Sequence, residues 1–91
     1  MRFLGAGNWL TPEECRLWLG MEILDARCFR PEQLDIEPVD DAPLVVESVR
    51  FMGSLAEAEL RHERSEMRRL FYHRPSAPLL RAGMRASVSV R

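Results

Sequence analysis

Apolar positions recur through the middle of the chain at helical spacing. Val45, Val49, Met52, Ala56, Leu60, Met67, Leu70 and Phe71 form one stripe near a 3.6-residue period, interrupted only by Glu63. The pattern predicts a long helix 2 from about Leu44 to Tyr72. Asp40 and Asp41 stand at its start and Arg68, Arg69 and His73 at its end, where the helix dipole favours each sign. Pro75 restricts Arg74 and stops it.

A shorter helix 1 is predicted from Pro12. Thr11-Pro12-Glu13-Glu14 offers a capping hydroxyl, a proline at the first helical position and a glutamate that reaches back to the cap amide. Leu17, Met21, Leu24 and Cys28 then share a face as far as about Phe29, before Pro31. Two features compete with these helices. Cys15, Leu17, Leu19, Met21 and Ile23 also alternate, so Gly20 could end a shorter helix before a strand at Met21 to Leu24. Gly53-Ser54-Leu55-Ala56-Glu57 holds a second capping box, and a glycine in mid-helix costs about 1 kcal/mol. A break there makes Leu44 to Met52 a strand feeding a shorter helix.

Residues 30–43 carry Pro31, Pro38 and Pro43 among five acids and read as an exposed acidic connection, with at most one helical turn at Pro31 to Leu34. In the tail, Met84, Ala86, Val88 and Val90 alternate with polar residues, a half-buried strand pattern for which Arg2 to Leu4 is the obvious terminal partner. The expected fold is one domain over residues 1–91, mainly helical α+β: a helical hairpin of short helix 1 and long helix 2, with short terminal β-strands. A helix of about 29 residues spans about 43 Å, more than helix 1 can cover. Val45, Val49, Met52, Met67, Leu70 and Phe71 are therefore the expected homodimer interface.

Charge adds a second pattern. Residues 22–59 hold ten acids against three arginines, and residues 60–91 hold eight arginines against two acids. A long helix wants this polarity, and so does a charged partner. Every basic residue other than histidine is Arg, as a GC-rich bacterial or phage genome would encode.

The chemistry-bearing residues do not assemble into a motif. His62, His73, Cys15 and Cys28 are the soft ligands, and no zinc spacing joins them, so no metal and no cofactor is expected. Gly5-Ala6-Gly7-Asn8 lacks the lysine and helix of a phosphate loop and reads as a turn. No serine stands in a nucleophile elbow and neither cysteine has a neighbouring histidine, so the chain is not expected to be an enzyme. The two cysteines form no disulfide framework, and MRFLGAGNWL lacks the apolar run of a signal peptide. No stretch reaches the roughly 18 apolar residues of a membrane span. A cytoplasmic protein without membrane attachment is expected.

Residues 61–74 interleave five arginines with Phe71, Tyr72 and two histidines. Arg61, Arg64, Arg68, Arg69 and Tyr72, with Trp18 as a hot-spot residue, are the expected partner-binding set. A sequence pI near 6.1 weighs against a dedicated nucleic-acid binder. The reading is a small non-enzymatic protein-protein interaction or regulatory protein (accessory, adaptor or inhibitor), homodimeric or bound to a larger protein. The alternative is a nucleic-acid-binding regulator using segment 61–74. A variant of the first reading uses the acidic residues 32–47 as a decoy for a basic protein surface.

Overall fold

The computed structural model describes residues 7–75 and 79–91. Where the stripe predicts helix 2, the chain folds as antiparallel β-strands. Of the described residues, 49% are strand and 13% helical, which overturns the mainly helical class and the helical hairpin. A helix of about 43 Å would also exceed the longest dimension of the described residues, 37 Å.

The strands are β1 (Asn8–Leu10), β2 (Arg27–Phe29), β3 (Leu34–Pro38), β4 (Leu44–Met52), β5 (Leu55–His62), β6 (Arg68–His73) and β7 (Arg85–Val90). β1 and β2 form a two-stranded antiparallel ribbon. The others form a five-stranded antiparallel sheet in the order β3-β7-β4-β5-β6. Its edge strands β3 and β6 approach within 8 Å at Cα, so the sheet curls toward closure without hydrogen bonds between those edges.

Period 2 governs every strand of the sheet. Ala56, Ala58 and Leu60 of β5 are buried, while Leu55, Glu57, Glu59 and Arg61 face outward. On β4, Leu44 and Val46 are buried; the register then shifts between Val46 and Ser48, with Glu47 as the extra residue of a β-bulge. Beyond the bulge, Val49 and Phe51 lie opposite Ala58 and Ala56. The helical stripe mixes the two faces of the sheet: Val45, Met52 and Leu70 face outward, whereas Val49, Ala56, Leu60 and Phe71 face inward. Ala, Glu, Leu and Arg in β5 also have high intrinsic helix propensity. Gly53 takes φ +70°, a conformation that suits a tight hairpin turn and no mid-helix position.

The start of helix 1 forms as expected and its length does not. The Thr11 hydroxyl accepts from the Glu14 N–H (3.2 Å), and the Glu14 carboxylate accepts from the Thr11 N–H (2.9 Å). This segment, α1 (Pro12–Glu14), continues as a π-helical stretch, Cys15–Leu19. It ends at Gly20, whose φ of +68° lets its N–H and that of Met21 close on the carbonyls of Arg16 and Cys15. The expected continuation to Phe29 is replaced by a loop and β2. The acidic connection holds one 3-10 turn, Pro31–Gln33, and then the strand β3, with Leu34 and Ile36 buried. The tail strand is present as β7, paired with β3 and β4. Its expected partner, Arg2 to Leu4, lies outside the described residues.

The core is one cluster. Leu34, Ile36, Leu44, Val46, Leu60, Phe71 and Val88 from the sheet meet Leu10, Cys15, Trp18 and Phe29 from the N-terminal segment. Ala58 opposite Phe71 sets a small side chain beside a large one, so the ring fits without overpacking.

Candidate functional site

The acidic and basic halves of the sequence meet inside the sheet. β3 and β4 belong to the acidic half and β6 and β7 to the basic half, and β7 runs between β3 and β4. Arg61 Nε donates to Glu47 Oε2 (2.8 Å), and Arg68 approaches the same carboxylate at 4.0 Å. Arg85 pairs with Glu63 (2.6 Å) and donates to the Ala42 carbonyl (2.9 Å); Arg91 pairs with Asp35 (2.7 Å). The hydrogen bond from Arg61 holds the Glu47 carboxyl below its usual range. Arg85 does the same for Glu63, which raises the Arg85 guanidinium in return. Solvent-accessible pairs of this kind are weak, and they follow from which strand lies beside which. The charge asymmetry is thus absorbed by strand pairing.

The structure does not unite the expected partner-binding set. Arg61, Arg68 and Tyr72 share the outer face of the sheet with Glu47, Glu57 and Glu59, and Arg64 is exposed in the β5–β6 turn. Arg69 points to the opposite face, where its guanidinium bonds the Glu14 carboxylate and the Trp9 carbonyl and lies over the Phe71 ring. Trp18 is 4% exposed. It packs edge-on against Phe71 (5.7 Å between centroids) and His62 (6.1 Å), so it is a core residue and not a surface hot spot.

The expected dimer interface divides as well. Val45, Met52 and Leu70 face outward, Val49 and Phe71 face inward with Phe71 fully buried, and Met67 is exposed beside the β5–β6 turn. The uncovered helical stripe that motivated this interface does not exist.

The thiols and histidines are separated. Burial raises the pKa of the Cys15 thiol above its ordinary value. Cys28 is exposed on β2 opposite Trp9. His73 is buried, with Nε2 unpartnered among the described residues, and burial lowers its pKa. His62 lines an open depression of about 760 Å³ with Glu13, Arg16, Leu17 and Met67. Among the described residues no three His, Cys, Asp or Glu side chains are grouped as metal ligands, and no helix is long and apolar enough to cross a membrane.

What remains open is the far half of the β4–β5 hairpin. β7 pairs with β4 only at Leu44 and Val45. The adjoining turn adds two bonds, from Val46 N–H to the Met84 carbonyl (2.7 Å) and from Gly83 N–H to the Val46 carbonyl (2.8 Å). From Ser48 to Met52, β4 is paired with β5 alone among the described residues. The direction of its main chain follows from register. His62 N–H bonds the Met67 carbonyl, so even-numbered residues of β5 exchange bonds with β6 and odd-numbered ones with β4. Ser48, Arg50 and Met52 oppose Glu59, Glu57 and Leu55 and bond inward to β5. The N–H and C=O groups of Val49 and Phe51 point to the unpaired side.

The same stretch carries exposed apolar side chains. Phe51 is 51% exposed and Met52 37%. Arg50 ties back to Glu57 at 2.9 Å. Phe51 is absent from the stripe because it is off phase for a helix. The alternation Val49, Phe51 against Ser48, Arg50, Met52 is the signal that carries it. Comparison with protein-family models, curated proteins and solved structures returns no match.

Proposed function

We propose that this chain is a small non-enzymatic protein-interaction domain of an adaptor, accessory or inhibitory kind, and that its contact surface is the far half of the β4–β5 hairpin. One observation carries this reading: among the described residues, β4 from Ser48 to Met52 has strand partners on one side only and bears the exposed Phe51 and Met52. A main-chain edge gives affinity through hydrogen bonds, and its alternate side chains give specificity, as in strand addition. An exposed apolar edge is otherwise an aggregation liability, commonly blunted by charge, proline or cover. β3 has Pro38, and β6 has Asn8, whose side chain occupies the Tyr72 main chain. Residues 48–52 have Arg50 alone, and its charge is paired with Glu57. The nucleic-acid alternative calls for a basic stripe, and the outer face interleaves its arginines with Glu47, Glu57 and Glu59.

The test uses Phe51→Asp and Met52→Asp, both at exposed positions, with circular dichroism to confirm the fold. Solution mass and capture from an extract of its own cells are compared with the unaltered chain. Loss of self-association or of a captured protein in the variants supports the reading, and variants identical to the parent in both assays refute it. Binding to DNA or RNA that persists at physiological salt and weakens in Arg68→Ala would favour the alternative.

A further inference from the structure

We infer that the occupant of the open β4 edge is β4 of a second copy of this chain, added antiparallel about a twofold axis at Arg50. This rests on the reading of the β4–β5 hairpin as the contact surface and names its partner.

The strand is complementary to itself. A twofold antiparallel pairing sets outward-pointing main chain against outward-pointing main chain, and the edge offers Val49 and Phe51. Three registers satisfy this. Centring on Val49 sets Phe51 against Glu47, the bulge residue whose carboxylate already holds Arg61. That register breaks the ladder and puts a ring beside a charge. Centring on Phe51 sets Val49 against Gly53 in the turn and leaves one exchanging pair. Centring on Arg50 sets Val49 of each copy against Phe51 of the other. Two hydrogen-bonded pairs form, and on one face the apolar side chains meet as two Val-Phe cross-strand pairs, a favourable combination.

The opposite face settles the electrostatics. On the axis Arg50 meets Arg50 of the second copy, and like charges directly opposite destabilise a sheet. Each Arg50 here carries its own Glu57 at 2.9 Å, so the row across the joined sheets reads Glu57, Arg50, Arg50, Glu57 and sums to zero. Ser48 then stands opposite Met52 on either side. The exposed Phe51 is covered by Val49 of the other copy, and the outward N–H and C=O groups of both residues are satisfied. An edge of five residues makes a small interface, at the low end below about 1,200 Å². The association is weak and depends on concentration.

The experiment is sedimentation of the full chain from about 1 μM to about 1 mM, joined to a cross-linking test of register. Arg50→Cys in a Cys28→Ser background places two thiols at a non-hydrogen-bonded antiparallel pair, with Cα atoms about 4.5 Å apart and within disulfide range. Mild oxidation should join most of this variant into a covalent dimer. Ser48→Cys, which would face Met52, should stay largely uncoupled. Val49→Pro removes an N–H that points away from β5 and should keep the chain monomeric at the highest concentration, with Phe51→Asp as the second variant should proline disturb the hairpin. A parent chain that is monomeric throughout, while Phe51→Asp still loses a captured protein, overturns the second copy and keeps the interaction reading. A dimer indifferent to Val49→Pro, Phe51→Asp and Arg50→Cys oxidation overturns both.

Discussion

Asn8→Asp keeps the size and shape of one buried side chain and should cost more than removing it. Asn8 is 2% exposed. Its amide nitrogen donates to the carbonyls of Tyr72 (2.9 Å) and Phe29 (3.0 Å), and its amide oxygen accepts from the Tyr72 N–H (2.7 Å). The side chain thus stands in for a strand beside β6 and ties the β1–β2 ribbon to the sheet edge. Asn8→Ala loses three hydrogen bonds, about 3 kcal/mol at about 1 kcal/mol each. Asn8→Asp keeps the bond from Tyr72 N–H but aims a carboxylate oxygen at two carbonyls. Its native pKa must rise, and a rise of about 3 units corresponds to about 4 kcal/mol at neutral pH.

Sign follows from linkage. A carboxyl with a raised folded pKa binds a proton more readily folded than unfolded. The Asp variant is therefore least stable near pH 7 and recovers as pH falls toward about 4, when the acid donates one bond. Against a total of about 5 to 15 kcal/mol these losses are large. Urea unfolding by circular dichroism at pH 7 and pH 4.5 should rank parent, Ala and Asp in falling order at pH 7, with the Ala-to-Asp gap closing at the lower pH. An Asp variant as stable as the parent at pH 7 would refute the hydrogen-bond assignment.

Burial lowers the pKa of His73, so its contribution is present above its ordinary value of 6.5 and lost as pH falls through the folded value; His73→Leu should flatten stability between pH 7 and 5. Glu47 and Glu63, held below their ordinary 4.5 by Arg61 and Arg85, lose their contributions at lower pH, and a denaturant series across pH separates the two windows. Leu60→Ala, at a fully buried position between Val46 and Arg69, should cost about 2 to 5 kcal/mol, whereas Arg64→Ala in the exposed turn should change the melting temperature little. Gly7→Ala brings a Cβ to 2.9 Å from the Cys28 sulfur, the free end of an exposed side chain that can turn away, so it should change the melting temperature little.

Local signals in the sequence determined local structure. Thr11-Pro12-Glu13-Glu14 makes its capping box because both bonds lie within one turn. Gly20 stops the helix because φ +68° suits a residue without Cβ. Pro31 starts one turn, and Ala86, Val88 and Val90 alternate into β7. The middle of the chain was undetermined at that range. Ala56-Glu57-Ala58-Glu59-Leu60-Arg61 is made of good helix formers, and the helical stripe runs through apolar residues that lie on both faces of the sheet. Tertiary pairing decided between helix and strand. A helix there would bury one stripe against a helix 1 too short to cover it, whereas strands bury Ala58 and Leu60 in one cluster with Phe71, Val46 and Trp18 from three other segments. The charge asymmetry is a property of the sequence, but its meaning came from strand order, which sets Glu47 beside Arg61, Glu63 beside Arg85 and Asp35 beside Arg91. The open β4 edge came from the same order: β7 covers β4 only as far as the bulge, and a contact between residues 40 apart leaves no trace in local periodicity.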